Sequence, residues 1–184
     1  MYYRIFNPFR YIAGLRALVY GWSVMFITGC LAFFSKTHFD GVIDVHTGLF
    51  SPFPYYLLEQ LIAWGLAVIP FYLAGYVMSK SSIRFIDVAG TLALARWPLI
   101  FLPLINLALP IRFDLNHIDP IFVIIALVNL VFVVWFIALM YNAVCTSCNL
   151  KGKSAIVLFI STLIFSEMLS KFVFHLLYNQ ITNH

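Results

Sequence analysis

Five stretches of this chain are apolar for longer than a bilayer is thick, and little lies between them. They run roughly from Tyr11 to Phe34, Pro54 to Ser79, Ile83 to Leu109, Asp119 to Ala143 and Ser154 to Tyr178. A helix needs about 20 residues to cross the hydrocarbon core at 1.5 Å per residue. Strands of a membrane barrel would be about half that length and alternate in polarity. These runs are apolar all round, so the reading is an all-α membrane protein, a bundle of five transmembrane helices forming one membrane domain over residues 1–184. Water is excluded as the main solvent, because 63% of the residues are hydrophobic and only 10% charged, against about a quarter charged in soluble domains. The lipid bilayer is thus the first partner. The formal charge of +4 does not signal nucleic acid, since the basic residues cluster beside apolar runs, as topology determinants do.

The N-terminal run follows Arg4 and Arg10 but is too long for a signal-peptide core, so it reads as an uncleaved first span. One set of connections carries Arg4, Arg10, Arg16, Lys80, Arg84, Lys151 and Lys153, and the other only Lys36 and Arg112. The positive-inside asymmetry then puts the N-terminus in the cytoplasm and the C-terminus outside, with a cell membrane as the expected location. Asp40, Asp44, Asp114 and Asp119 all fall on the outer side, and Tyr2, Tyr3, Tyr11, Tyr55, Tyr56 and Tyr178 fall at span ends, where amphipathic rings suit the interface.

The third stretch carries Pro98, Pro103 and Pro110. Each interior proline removes a backbone donor and kinks the helix. Such breaks survive in a membrane where neighbouring protein satisfies the freed groups, so this helix is expected inside the bundle. Asp87, near its start, is expected to cap that end.

Four charges lie within the apolar stretches. Arg96 falls about 18 Å along the third helix and Glu167 about 20 Å along the fifth, counted from the same face. A charge at such depth costs at least about 2.5 kcal/mol and calls for a partner. The matched depths predict an Arg96–Glu167 pair. Lys171 follows Glu167 by one turn, and Glu59 on the second helix is expected to reach it, giving a ladder of Glu59, Lys171, Glu167 and Arg96. Such a network serves either as scaffold or as an ion or solute pathway.

The most polar stretch, "THFDGVIDVH", is nearly palindromic: His38, Asp40, then Asp44, His46. On extended backbone each i, i+2 pair shares a face. Imidazole with carboxylate suits zinc or another divalent metal, with His117 and Asp114 as further ligands from the other outer loop. The same text also reads as a polar rim turning at Gly41. Cys145 and Cys148 form a single C-x-x-C without a second pair or a thioredoxin-like pattern, and read as free thiols. No Ser-His-Asp set, phosphate loop or HExxH occurs in the sequence, so the expectation is a non-enzymatic protein without a required cofactor.

Taken together, "FNPFRYIAGLRAL" entering a span, the outer "THFDGVIDVH" and "SKSSIRFIDVAGTLALARWPL" opening the third of five helices resemble the Yip family of Ypt/Rab-interacting membrane proteins, and in particular its short bacterial branch. The resemblance covers nearly the whole chain. It implies a five-helix bundle with a cytoplasmic N-terminus. In eukaryotic members it also implies binding of prenylated Rab GTPases and association with other family members. The sequence shows no Asp-Leu-Tyr-Gly-Pro motif of the eukaryotic kind; Asn7-Pro8 stands near the corresponding place. No residue role is carried over. The resulting expectation is action through assembly, with itself or with other membrane proteins, helped by Gly14, Gly21, Gly29, Gly65, Gly75 and Gly90, which permit close helix approach. A small transporter or channel built on the charge ladder is the alternative.

Overall fold

The computed structural model describes residues 7–48, 50–109 and 120–182. After a short 3-10 turn at Pro8–Arg10 come α1 (Gly14–Ser35), α2 (Phe53–Met78), α3 (Phe85–Ala95), α4 (Phe101–Ala108), α5 (Pro120–Ser147) and α6 (Gly152–Thr182). A 3-10 turn, Trp97–Ile100, joins α3 to α4. Counting α3–α4 as one broken helix, five helices among the described residues are long and apolar enough to cross a membrane, as the sequence implies. Arg4, Arg112, Asp114, His117 and Asp119 lie outside the described residues, as do Tyr2, Tyr3 and Pro110.

The broken helix is the centre of the bundle. It is 72% buried, against 33% for α1, 28% for α2 and 11% for α5. It touches α1, α2 and α5, while α6 leans mainly on α2. Pro98 causes the break by removing a donor and crowding the carbonyl one turn back, and the surrounding helices shield the exposed backbone.

Small residues set the closest contact. A Cβ on Gly21 of α1 would lie 2.5 Å from the backbone of Ala93 and Leu94, and one on Gly90 would lie 2.4 Å from the Gly14 carbonyl oxygen. Side chains larger than hydrogen would separate α1 from α3. Gly29 meets Leu57, and Gly75 meets the Cys148 thiol in the same way. The glycines expected to serve assembly are therefore consumed within one chain, and Gly65 alone among those six has open space around it. Elsewhere the core is aromatic and aliphatic, with Phe71 stacked on Phe159 and Leu92, Leu99, Phe136 and Met140 fully enclosed.

Between α1 and α2 the chain turns back on itself. Lys36 ends α1 in the left-handed region at φ 55°. Strands β1 (Thr37–His38) and β2 (His46–Thr47) then pair antiparallel, His38 opposite His46. The near-palindrome is thus a hairpin, and its mirrored residues face each other across it.

Candidate functional site

The tip of this hairpin dips between the helices. Phe39 and Val42 are fully buried and His38 nearly so. The tip meets Glu167, about 22 Å along α6 from Gly152 at 1.5 Å per residue, well short of the roughly 30 Å that a bilayer core requires. Irregular backbone at that level needs its polar groups satisfied by protein. The buried charges meet that need.

Glu59 is the first support. It sits in α2 and is almost wholly enclosed. Its Oε2 accepts from the Phe39 amide at 3.0 Å. Its Oε1 accepts from the Tyr178 hydroxyl at 2.6 Å and bonds His38 Nδ1 at 2.8 Å. One carboxylate thereby ties α2, the hairpin and α6 together. The expected Glu59–Lys171 contact does not form among the described residues, because the hairpin takes up the Glu59 carboxylate from its own side.

Arg96 and Glu167 form the second support. No ion pair joins them among the described residues. A single peptide group stands between them instead. Arg96 donates from one guanidinium nitrogen to the Val42 carbonyl at 3.5 Å, a long contact, and Glu167 Oε2 accepts from the Ile43 amide at 2.9 Å. That carbonyl and that N–H belong to the same peptide unit. The two side chains stand at one level, on either side of the 42–43 peptide. The direct contact is replaced because the loop backbone fills the gap. Arg96 also donates twice to Gln60 Oε1, at 3.2 and 3.3 Å, and its guanidinium lies 5.5 Å from the Phe136 ring centre. The Val42 amide donates to Ser170 Oγ at 3.3 Å.

Gly41 makes the close approach achievable. A Cβ there would lie 2.6 Å from Glu167 Oε1 and 2.7 Å from the Asp44 Cβ.

Of the four expected metal ligands, Asp40, Asp44 and His46 come together, with one ligand atom from each within 4.8 Å of the others. His38 turns away to Glu59. Lys171 reaches this cluster, its ammonium bonded to Asp44 and 3.6 Å from Asp40. The chain itself supplies a cation between the two carboxylates, which a metal would have to displace. Burial alone would raise the Asp40 carboxyl, but the His46 hydrogen bond and the charges of His46 and Lys171 hold it below its ordinary value. The hydrogen bond to Asp40 raises His46 in turn, against the effect of burial. His38 and His46 stack as a cross-strand pair, ring centres 5.5 Å apart.

Asp87 pairs with Arg84 at 2.8 Å rather than capping the α3 backbone with its side chain. Cys145 and Cys148 are free thiols. Burial raises the Cys148 thiol, the opposite of the shift that activates a cysteine.

Gln60, Asn106 and Asn129 take part without having been singled out in the sequence, and Tyr178, expected as an interface ring, donates its hydroxyl to Glu59. Asn106 Nδ2 donates to Thr37 Oγ1 at 2.9 Å, and Asn129 Nδ2 reaches Asn106 Oδ1 at 3.5 Å. Their signal was present, since a lone amide within an apolar run is as conspicuous as a lone charge.

Beside the hairpin, between it and helices α4 and α5, lies a cleft of about 1040 Å³. Neither Glu59, Arg96, Glu167 nor Lys171 lines it. Compared with known proteins, the chain matches no family model, no curated protein and no solved structure.

Proposed function

We propose that this protein is a non-enzymatic, multi-pass membrane protein of the Yip family's short bacterial branch, acting in the inner membrane through assembly with itself or with other membrane proteins. The N-terminus lies in the cytoplasm and the C-terminus outside, as the Lys and Arg distribution favours. One observation carries the choice of assembly over transport: the charge network is spent on the folded-in loop and does not line the cleft. A pathway would need those groups facing water. The surface left for a partner is α5, with mean hydropathy 3.0 and only 11% of its apolar window covered.

Two measurements test the reading. Cysteines placed singly along α5, at Leu127 and Val131, in a chain with Cys30, Cys145 and Cys148 replaced by serine, should cross-link to a second copy or to another membrane protein in native membranes. Liposomes carrying the purified protein should show no flux of protons or small ions above empty liposomes. Flux abolished by Arg96→Ala, with no cross-link along α5, would overturn assembly in favour of a transporter built on the ladder.

A further inference from the structure

The end of the bundle where α1 begins carries a surplus of positive charge. Arg10, Arg16, Lys80, Arg84, Lys151 and Lys153 all lie there, and all are exposed. Asp87 is the one described carboxylate at that end, and it is spent on Arg84. The other five cations stand in no ion pair among the described residues. No histidine enters this count. At the opposite rim, among the described residues, Lys36 and Lys171 are matched by Asp40 and Asp44. The surplus therefore belongs to one end alone.

Two of these cations sit where a helix tolerates them least. Arg16 is in the first turn of α1 and Lys153 in the first turn of α6. There they stand beside backbone amides that no helical carbonyl can reach, whose partial charge is also positive. Neither first turn holds an acidic residue, and no side chain caps α1. An anion from outside the chain would answer the amides and the cations together. The rim also keeps to the level of lipid phosphates. Residues 79–84 alone join α2 to α3, and 148–151 join α5 to α6. The turn before α1 is pinned to the bundle by Phe9, which is buried. The headgroup layer is about 5–7 Å deep on each face of a bilayer, and links this short hold the cations within reach of it. Tyr11, Tyr76 and Phe85 stand exposed beside them, as interfacial rings do.

We infer that this end is a docking rim for anionic phospholipid headgroups, whose phosphates lie against Arg16 and Lys153 at the two helix starts and against Lys80 and Lys151 in the links. A zwitterionic headgroup would bring an ammonium to a surface already rich in cations. A soluble acidic protein would match the charge but not the exposed rings beside it.

The test reconstitutes the full chain with equal amounts of phosphatidylglycerol and phosphatidylcholine, extracts it in mild detergent, and counts the lipids that stay bound. Phosphatidylglycerol should exceed phosphatidylcholine about fivefold, the factor that one cation near an anionic headgroup supplies. The excess should be present in about 0.1 M salt and vanish in about 1 M, where charges are screened beyond about 3 Å. The combined change of Arg16, Lys80, Lys151 and Lys153 to glutamine should abolish it. Lys151→Arg with Lys153→Arg should keep it, and so should Lys36→Gln at the opposite rim. Equal retention of both lipids by the unaltered protein overturns the inference. So does an excess that persists in about 1 M salt, which charge could not sustain; this arm needs no variant and holds even if the fourfold change fails to insert. An excess that survives the fourfold change, or is lost in Lys36→Gln, would locate the lipid elsewhere and overturns it too. Equal lipid retention together with tight capture of soluble polyglutamate would give the rim to an acidic protein instead.

Discussion

The two ends of the bundle are held together by opposite means. At the end where α1 begins, Gly14, Ala17, Gly21 and Gly90 let α1 and α3 touch backbone to backbone, and no buried charge takes part. At the other end a hairpin enters the bundle, its amides donating to Glu59, Glu167 and Ser170 and its Val42 carbonyl accepting from Arg96. Close packing in a membrane is a matter of shape and dispersion. It responds to volume and hardly to pH. The polar end responds to charge and protonation, because an unsatisfied polar group in hydrocarbon costs several kcal/mol.

The largest effect should come from the polar end. Glu59→Ala strands the Phe39 amide, the Tyr178 hydroxyl and His38 together, and should lower stability in a denaturing-detergent titration by about 4 kcal/mol. Gly21→Leu at the packed end should cost about 3 kcal/mol by overpacking, while amide exchange of residues 39–45 stays as in the unaltered protein. Exchange that quickens equally in both variants would show that the two ends are one cooperative unit and would break the contrast. A smaller effect tests the shared peptide. A double-mutant cycle of Arg96→Met with Glu167→Gln should give a coupling of about 1 kcal/mol. A coupling of several kcal/mol would mean that the two side chains pair directly. No coupling would mean that the 42–43 peptide transmits nothing.

The smallest effect is one of pH. His46 is raised above its ordinary 6.5, so its contribution is complete below that value and is lost as pH rises through the raised one. Asp40 is lowered below its ordinary 3.8, so its contribution is complete above that value and is lost as pH falls through the lowered one. The hairpin should be held most firmly between pH 3.8 and 6.5. Amide exchange of residues 39–45, followed across that window, should show a minimum that flattens in Asp40→Asn. The packed end should show no such minimum.

These contrasts explain what could be read in advance. The five helices were legible because apolar length is a bulk property that tertiary contacts do not alter. The interior place of the broken helix followed from Pro98 and Pro103 by the same kind of reasoning. The depths of Arg96 and Glu167 were legible too, because rise per residue is fixed. What joins them was not. A carboxylate that serves a backbone amide leaves no trace in the residue pattern, since every non-proline residue offers that donor. The palindrome, read as extended i, i+2 pairs or as a polar rim turning at Gly41, likewise did not reveal that His38 would leave its mirror partners for Glu59. Asn106 and Asn129 could have been found by treating isolated amides as seriously as isolated charges.

The placement of the hairpin also sets an order of events. Residues 37–48 leave the ribosome ahead of Arg96, and well ahead of Glu167, Ser170 and Lys171. When α1 and α2 are already in place, the peptide joining Val42 to Ile43 has neither of its partners. It can be seated only after α6 has entered. Helix α6 therefore closes the structure around a segment synthesised well before it, and a chain interrupted before residue 167 would present that segment bare to the quality-control machinery of the membrane.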